Sequence, residues 1–114
     1  MSEVTHHGPT FLALYDEGKI TADQIDRFVA AWHESGDEET RELHEYLGMT
    51  WEEYGVLMMT ERTLPLIVAA RRARKPLRDL VEPFFQEMLA KNDPNDRAAR
   101  HTMSYWLYGH AQSA

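Results

Sequence analysis

Apolar residues recur at three- and four-residue intervals along most of this chain, and that recurrence predicts helices throughout. Ile25, Phe28, Val29 and Trp32 stand at i, i+3, i+4 and i+7, one stripe of an amphipathic helix. Thr21-Ala22-Asp23-Gln24 precedes the stripe as a capping box, in which the Thr hydroxyl serves the third helical amide and Gln24 reaches back. Ser35-Gly36 closes it. Upstream, Phe11 to Tyr15 predicts a short helix ended by Gly18, since glycine takes a positive φ without Cβ strain.

The pattern continues with a helix from about Glu38 to Leu47, capped by Asp37, with Leu43, Tyr46 and Leu47 turned inward. Gly48 ends it and Thr50 caps the next, which puts Trp51, Tyr54, Leu57 and Met58 on one side. Leu64, Ile67 and Val68 begin another helix that closes in Arg71, Arg72, Arg74 and Lys75, where cations suit the negative end of the dipole. Pro76 stops it. From Leu77 the stripe is longest: Leu77, Leu80, Val81, Phe84, Phe85, Met88 and Leu89. Pro83 interrupts it and predicts a kink or a break. Asp93-Pro94 then caps a last helix with Ala99, Met103 and Trp106 inward and Gly109 as its end. The tail from His110 is expected to fray. With no hairpin signal and no internal repeat, the fold class expected is all-α, a compact bundle of about six to seven short helices.

At 114 residues with 43% hydrophobic content, the chain is sized for a single domain. The organisation expected is a flexible tail over 1–9, an acidic part over 10–66 and a basic helical extension over 67–114. There is no cysteine, which removes disulfides and thiolate chemistry. No apolar run approaches the roughly 20 residues of a membrane span, and the N-terminus has neither the basic start nor the apolar core of a signal peptide. A soluble, cytoplasmic protein with no membrane partner is expected. Net charge is -7, unevenly spread. Residues 1–61 carry 14 acids against Lys19, Arg27 and Arg41, whereas residues 62–114 carry nine cations against five acids. Such asymmetry steers charged partners or orients an oligomer. The Phe84-Phe85 stripe could also serve as the seam of a homodimer.

Candidate chemistry is thin. Six histidines are present, at positions 6, 7, 33, 44, 101 and 110, but none is paired at i, i+4 as in a zincin helix, so no metal is expected. The segment "YDEGKITADQ" has the cadence of a calcium loop, yet with Gly18 as turn glycine its ligand positions fall on Ala13, Tyr15 and Gln24. No phosphate loop, nucleophile elbow or dinucleotide fingerprint occurs, so neither an enzyme nor a cofactor is expected. A hydrolase built on His33 or His44 with nearby carboxylates is a remote alternative.

The stretch "LHEYLGMTWEEYGVLM", residues 43–58, has the helix-turn-helix rhythm by which small proteins read DNA. Its second half carries no Lys, Arg, Asn or Gln, and Glu52 and Glu53 oppose phosphate, whose neutralisation supplies most DNA affinity. Nucleic-acid contact by Arg71, Arg72, Arg74 and Lys75, as in a DNA-binding regulator, is kept as the alternative. Protein recognition fits better. Eight acids lie between Glu34 and Glu53 with only Arg41 among them, and Trp51 is a large anchor beside them. The expected contact residues are Glu45, Trp51, Glu52 and Glu53, against a partner with a basic surface. The aromatic tail Tyr105, Trp106 and Tyr108 is a second candidate.

Ile20, Ile25, Asp26, Phe28, Val29, Trp32 and His33, followed by Leu43 to Thr50 and Glu52, Glu53 and Tyr54, form two linked segments. Together they resemble a family of short bacterial and phage-borne helical proteins with a Leu-His-Glu-[Phe/Tyr]-Leu-Gly-Met-Thr-x-Glu-Glu-Tyr motif. The resemblance covers roughly residues 12–66. The acidic, aromatic-flanked face makes a non-catalytic regulator or phage-type (anti-CRISPR-like) inhibitor of a toxin or nucleic-acid enzyme the function expected, and the resemblance implies a degenerate helix-turn-helix and an antitoxin-like or mobile-element accessory role. It implies no catalytic residues. Leu57-Met58 departs from the aromatic expected near the end of the second segment.

Overall fold

A computed structural model describes residues 9–109, and every regular element among them is helical. The chain is all-α. The tail expected over the first residues, with His6 and His7, and the end beginning at His110 lie outside the described residues, apart from exposed Pro9. The chain divides into two compact units, Met1–Glu52 and Glu53–Ala114.

In the first unit, α1 (Phe11–Asp16) is capped by Thr10, whose hydroxyl accepts from the Ala13 amide at 3.2 Å. Gly18 takes φ +77° after it, as the glycine stop requires. A 3-10 turn (Ala22–Gln24) leads into α2 (Ile25–Ser35), and the Gln24 side chain accepts from the Thr21 amide as a capping box demands. Gly36, at φ +55°, stops α2. The expected helix from Glu38 to Leu47 is largely absent. Gly36–Glu38 is a 3-10 turn, residues 39–42 are not helical, and α3 is confined to Leu43–Tyr46.

Side-chain competition explains the loss. The Arg41 amide and Nε both donate to Glu39 Oε2, at 2.8 and 2.9 Å, while Arg41 Nη2 donates to Glu39 Oε1 at 3.0 Å. The Trp32 indole N–H donates to the Arg41 carbonyl at 2.9 Å, so both backbone groups of Arg41 are used outside a helix. Asp37 consequently lies inside the 3-10 turn, and Glu42 takes the N-cap position of α3, with Glu45 Oε1 accepting from the Glu42 amide at 3.0 Å. Leu47 is fully buried and its carbonyl accepts from the Leu12 amide at 3.0 Å, which ties the end of α3 to α1. Leu43 and Tyr46 are half-buried.

Helix α4 (Trp51–Met59) carries the chain from the first unit into the second. The side that carries Trp51, Tyr54, Leu57 and Met58 is not its buried side. Trp51 is 70% exposed and Met58 55%, while Glu53, Val56 and Leu57 are the buried residues, at i, i+3 and i+4. The helix is rotated from the stripe that counting large apolar residues suggests. A further 3-10 turn (Glu61–Thr63) leads to α5 (Leu64–Ala73), and the buried Thr63 hydroxyl donates toward the Val56 and Thr60 carbonyls at 3.2 and 2.8 Å. Helix α5 stops two residues before the expected Lys75, because Arg74 turns left-handed at φ +56°.

Of the kink or break expected at Pro83, the break does not occur: α6 (Leu77–Lys91) runs through it. Pro83 is exposed, so the carbonyl of the preceding turn that loses its donor, at exposed Asp79, lies on the solvent side. Leu77, Val81, Phe85 and Met88 form the buried edge of α6, and Leu80, Phe84 and Leu89 flank it half-buried. Asn92, at φ +50°, ends the helix. Asp93 then caps a 3-10 turn (Pro94–Asp96) by accepting from the Asn95 amide at 2.9 Å, and α7 (Arg97–Tyr108) follows, ending at Gly109 with φ +79°. Its buried residues are Met103, Ser104 and Leu107, with Ala99 and Trp106 half-buried.

Candidate protein-contact face

Within the first unit, α3 and the start of α4 bring His44, Glu45, Trp51 and Glu52 onto neighbouring turns. Gly48 makes this possible. It takes φ +88°, and a Cβ there would strike the Thr10 side chain, so only glycine fits the turn. The Met49 amide donates back to the His44 carbonyl at 2.9 Å and the Gly48 amide to the Glu45 carbonyl at 3.0 Å, which closes the end of α3. Met49 is buried behind the turn.

Trp51 stands on this frame as the most exposed of the large apolar side chains. Its indole meets the His44 ring edge-on, with centroids 5.4 Å apart and planes at 70°. His44, mostly enclosed, has Nδ1 3.6 Å from Glu42 Oε1. The indole is therefore backed by a positioned ring while presenting most of its surface to solvent. Glu45 and Glu52 are both exposed. Glu45 spends one oxygen on the Glu42 amide, and Glu39 is committed to Arg41.

Glu53 belongs elsewhere. It is 8% exposed, and its carboxylate takes both arms of Arg71, from Nε to Oε2 at 2.8 Å and from Nη2 to Oε1 at 2.6 Å. This bidentate pair joins α4 to α5 inside the second unit. Of the four expected contact residues, Glu45, Trp51 and Glu52 are exposed, and Glu53 is turned inward. The same pair redefines the basic cluster. Arg71 already faces a carboxylate, whereas Arg72, Arg74 and Lys75 are exposed around the end of α5. That end exposes helix carbonyls and the negative pole of the dipole, which opposes an incoming phosphate.

In the aromatic tail, Tyr105 is 50% exposed and meets His101 edge-on at 5.1 Å. The Tyr108 hydroxyl donates to Glu82 Oε2 at 2.7 Å, which raises its pKa above that of an ordinary phenol, with partial burial adding to the rise. Trp106 is half-buried. Among the described residues no group of three His, Asp or Glu side chains is placed to hold a metal ion, and no helix is long and apolar enough to cross a membrane.

His44 is the residue of this face that sequence reasoning overlooked. The only signal was its place seven positions before Trp51 across a glycine turn, and that spacing implies contact only when the turn geometry is known. Comparison with protein-family models, with curated proteins and with solved structures finds no match.

Proposed function

We propose that this protein is a non-catalytic binding protein that captures a basic protein surface through Trp51, with Glu45 and Glu52 selecting the partner's charge. The observation that carries this reading is the 70% exposed indole backed edge-on by His44 beside exposed carboxylates. An aromatic anchor of this kind brings large contact area with two rotatable bonds to immobilise, and surrounding acids raise the encounter rate with a basic partner. The reading is that of an antitoxin-like or phage-type inhibitor with a toxin or nucleic-acid enzyme as partner, and the motif resemblance implies an antitoxin-like role. It uses the helix-turn-helix-like stretch as a protein-contact frame. Duplex recognition through Arg71 to Lys75 is the weaker reading, because Glu53 already engages Arg71.

The test is capture from the native host, purification of the partner and titration against three forms of the protein. Trp51→Ala is expected to weaken binding by about 2 kcal/mol, the scale of an interface hot spot. Glu52→Lys should slow association and reduce its salt dependence. Unchanged affinity for both variants, each folded as the parent, would remove this face from the interface. Duplex DNA binding that weakens with salt and is lost on neutralising Arg72, Arg74 and Lys75 would favour the regulator reading instead.

A further inference from the structure

The second unit contains a cavity of about 750 Å³ between α6 and the start of α7, independent of the Trp51 face. Phe85 and Leu89 of α6 supply its apolar wall, and Arg97, Arg100, His101 and Ser104 enter from α7. The four α7 positions fall at i, i+3, i+4 and i+7, so they share one helical face. Among the described residues no Asp or Glu lines the cavity, in a chain with net charge -7. The two carboxylates nearest in sequence are engaged elsewhere, Asp93 with the Asn95 amide and Asp96 with Arg62.

Three arginines elsewhere among the described residues are paired with carboxylates. Arg41 is paired with Glu39, Arg62 with Asp96 and Arg71 with Glu53. Arg97 has no carboxylate partner among the described residues, and Arg100 donates through Nη1 to the Asp93 carbonyl at 2.7 Å, without a carboxylate. Both sit in the first turn and a half of α7, where the helix dipole already contributes positive potential. Two guanidinium groups match the charge of a dianion, and forked N–H donors match phosphate oxygens.

We propose that this cavity binds a small phosphate monoester, with the phosphoryl group held by Arg97 and Arg100 and an apolar or aromatic body laid against Leu89. Ser104 is buried at the inner end of the α7 row. His101, held edge-on by Tyr105, borders the opening and offers a ring nitrogen to the same group.

The test uses 1-naphthyl phosphate as probe, with inorganic phosphate, 1-naphthol and 1-naphthoate as comparisons, followed by calorimetry and by amide shifts in proton–nitrogen spectra of the full chain. The phosphate ester is expected to bind at least about tenfold more tightly than each comparison, with shifts concentrated between Asn95 and Ser104. Arg97→Gln should weaken it about tenfold or more, the scale of a charge-assisted hydrogen bond, while leaving thermal stability unchanged, because Arg97 is exposed and pairs with no carboxylate among the described residues. His101→Gln, also exposed, should weaken it less. Equal binding of 1-naphthoate, binding no tighter than inorganic phosphate, shifts elsewhere in the chain, or an affinity unmoved by Arg97→Gln would each overturn the proposal.

Discussion

The two units of this chain use different means to hold short helices in place. Among the described residues, the buried apolar side chains of the first unit are Phe11, Leu12, Leu47 and Met49, and α2 has no residue fully buried. Its irregular stretches are pinned by named polar links: Trp32 to the Arg41 carbonyl, Arg41 to Glu39, and Leu12 to Leu47. The second unit has longer helices around Val56, Leu64, Ile67, Val81, Phe85, Met103 and Leu107, each buried to 4% exposure or less. A helix with a continuous apolar edge is stabilised mainly by burial, at roughly 25 cal/mol per Å², and tolerates local irregularity such as Pro83. A four-residue helix cannot be stabilised that way and depends on its caps and turn.

If that contrast holds, the largest loss should come from the second unit. Phe85→Ala removes a fully buried ring and is expected to cost about 3–5 kcal/mol, measured by chemical denaturation. A cost near that of a surface change would show that α6 and α7 are not packed on this side chain. Gly48→Ala in the first unit should cost about 1–3 kcal/mol, from left-handed strain and collision with Thr10, and its effect should appear first in fluorescence of Trp32 and Trp51. Glu53→Ala is expected to cost about 1–3 kcal/mol. That is less than for a wholly buried pair, because Arg71 is half exposed. A double-mutant cycle with Arg71→Ala isolates the coupling; a zero coupling energy would make the pair incidental.

Trp32→Phe keeps the ring but deletes the indole donor, leaving the Arg41 carbonyl unserved, and should cost about 1 kcal/mol. Neutrality there would mean that residues 39–42 are held by the Arg41–Glu39 pair alone. The smallest effect concerns Tyr108. Its phenol pKa is raised in the folded chain, so the Glu82 bond contributes fully below the ordinary phenol pKa. The contribution is lost as pH rises through the folded value. Absorbance titration should show one tyrosine ionising later than the others, and Tyr108→Phe should remove that step.

Much of the fold was legible because it obeys local rules. The glycine stops at 18, 36, 48 and 109 all take positive φ, Gln24 reaches back to Thr21, and the α6 stripe is buried where its spacing indicates. The failures share a cause. Residues 38–42 were read as helix because nothing in their spacing reveals that Trp32, nine positions before Arg41, takes its carbonyl. The buried face of α4 is not legible from its large apolar residues, because it contains Glu53, a carboxylate made burial-compatible by an arginine 18 positions later. The candidate face was half legible: Glu45, Trp51 and Glu52 were singled out correctly as exposed, while the charge of Glu53 gave no hint that it turns inward.

What the sequence determined by itself was the helical class, the glycine-marked helix ends, and the separation of acidic from basic residues, all set by neighbours within about one turn of the chain. Only the tertiary structure decided which charges remain open to solvent and which neutralise one another. Glu52 and Glu53 are adjacent, identical in chemistry and opposite in fate, because a helical step of about 100° per residue turns one outward and the other toward Arg71. The same physics leaves Arg97 without a carboxylate at the mouth of a cavity while Arg62 finds Asp96. Pairing of charges is a long-range property, and local spacing does not encode it.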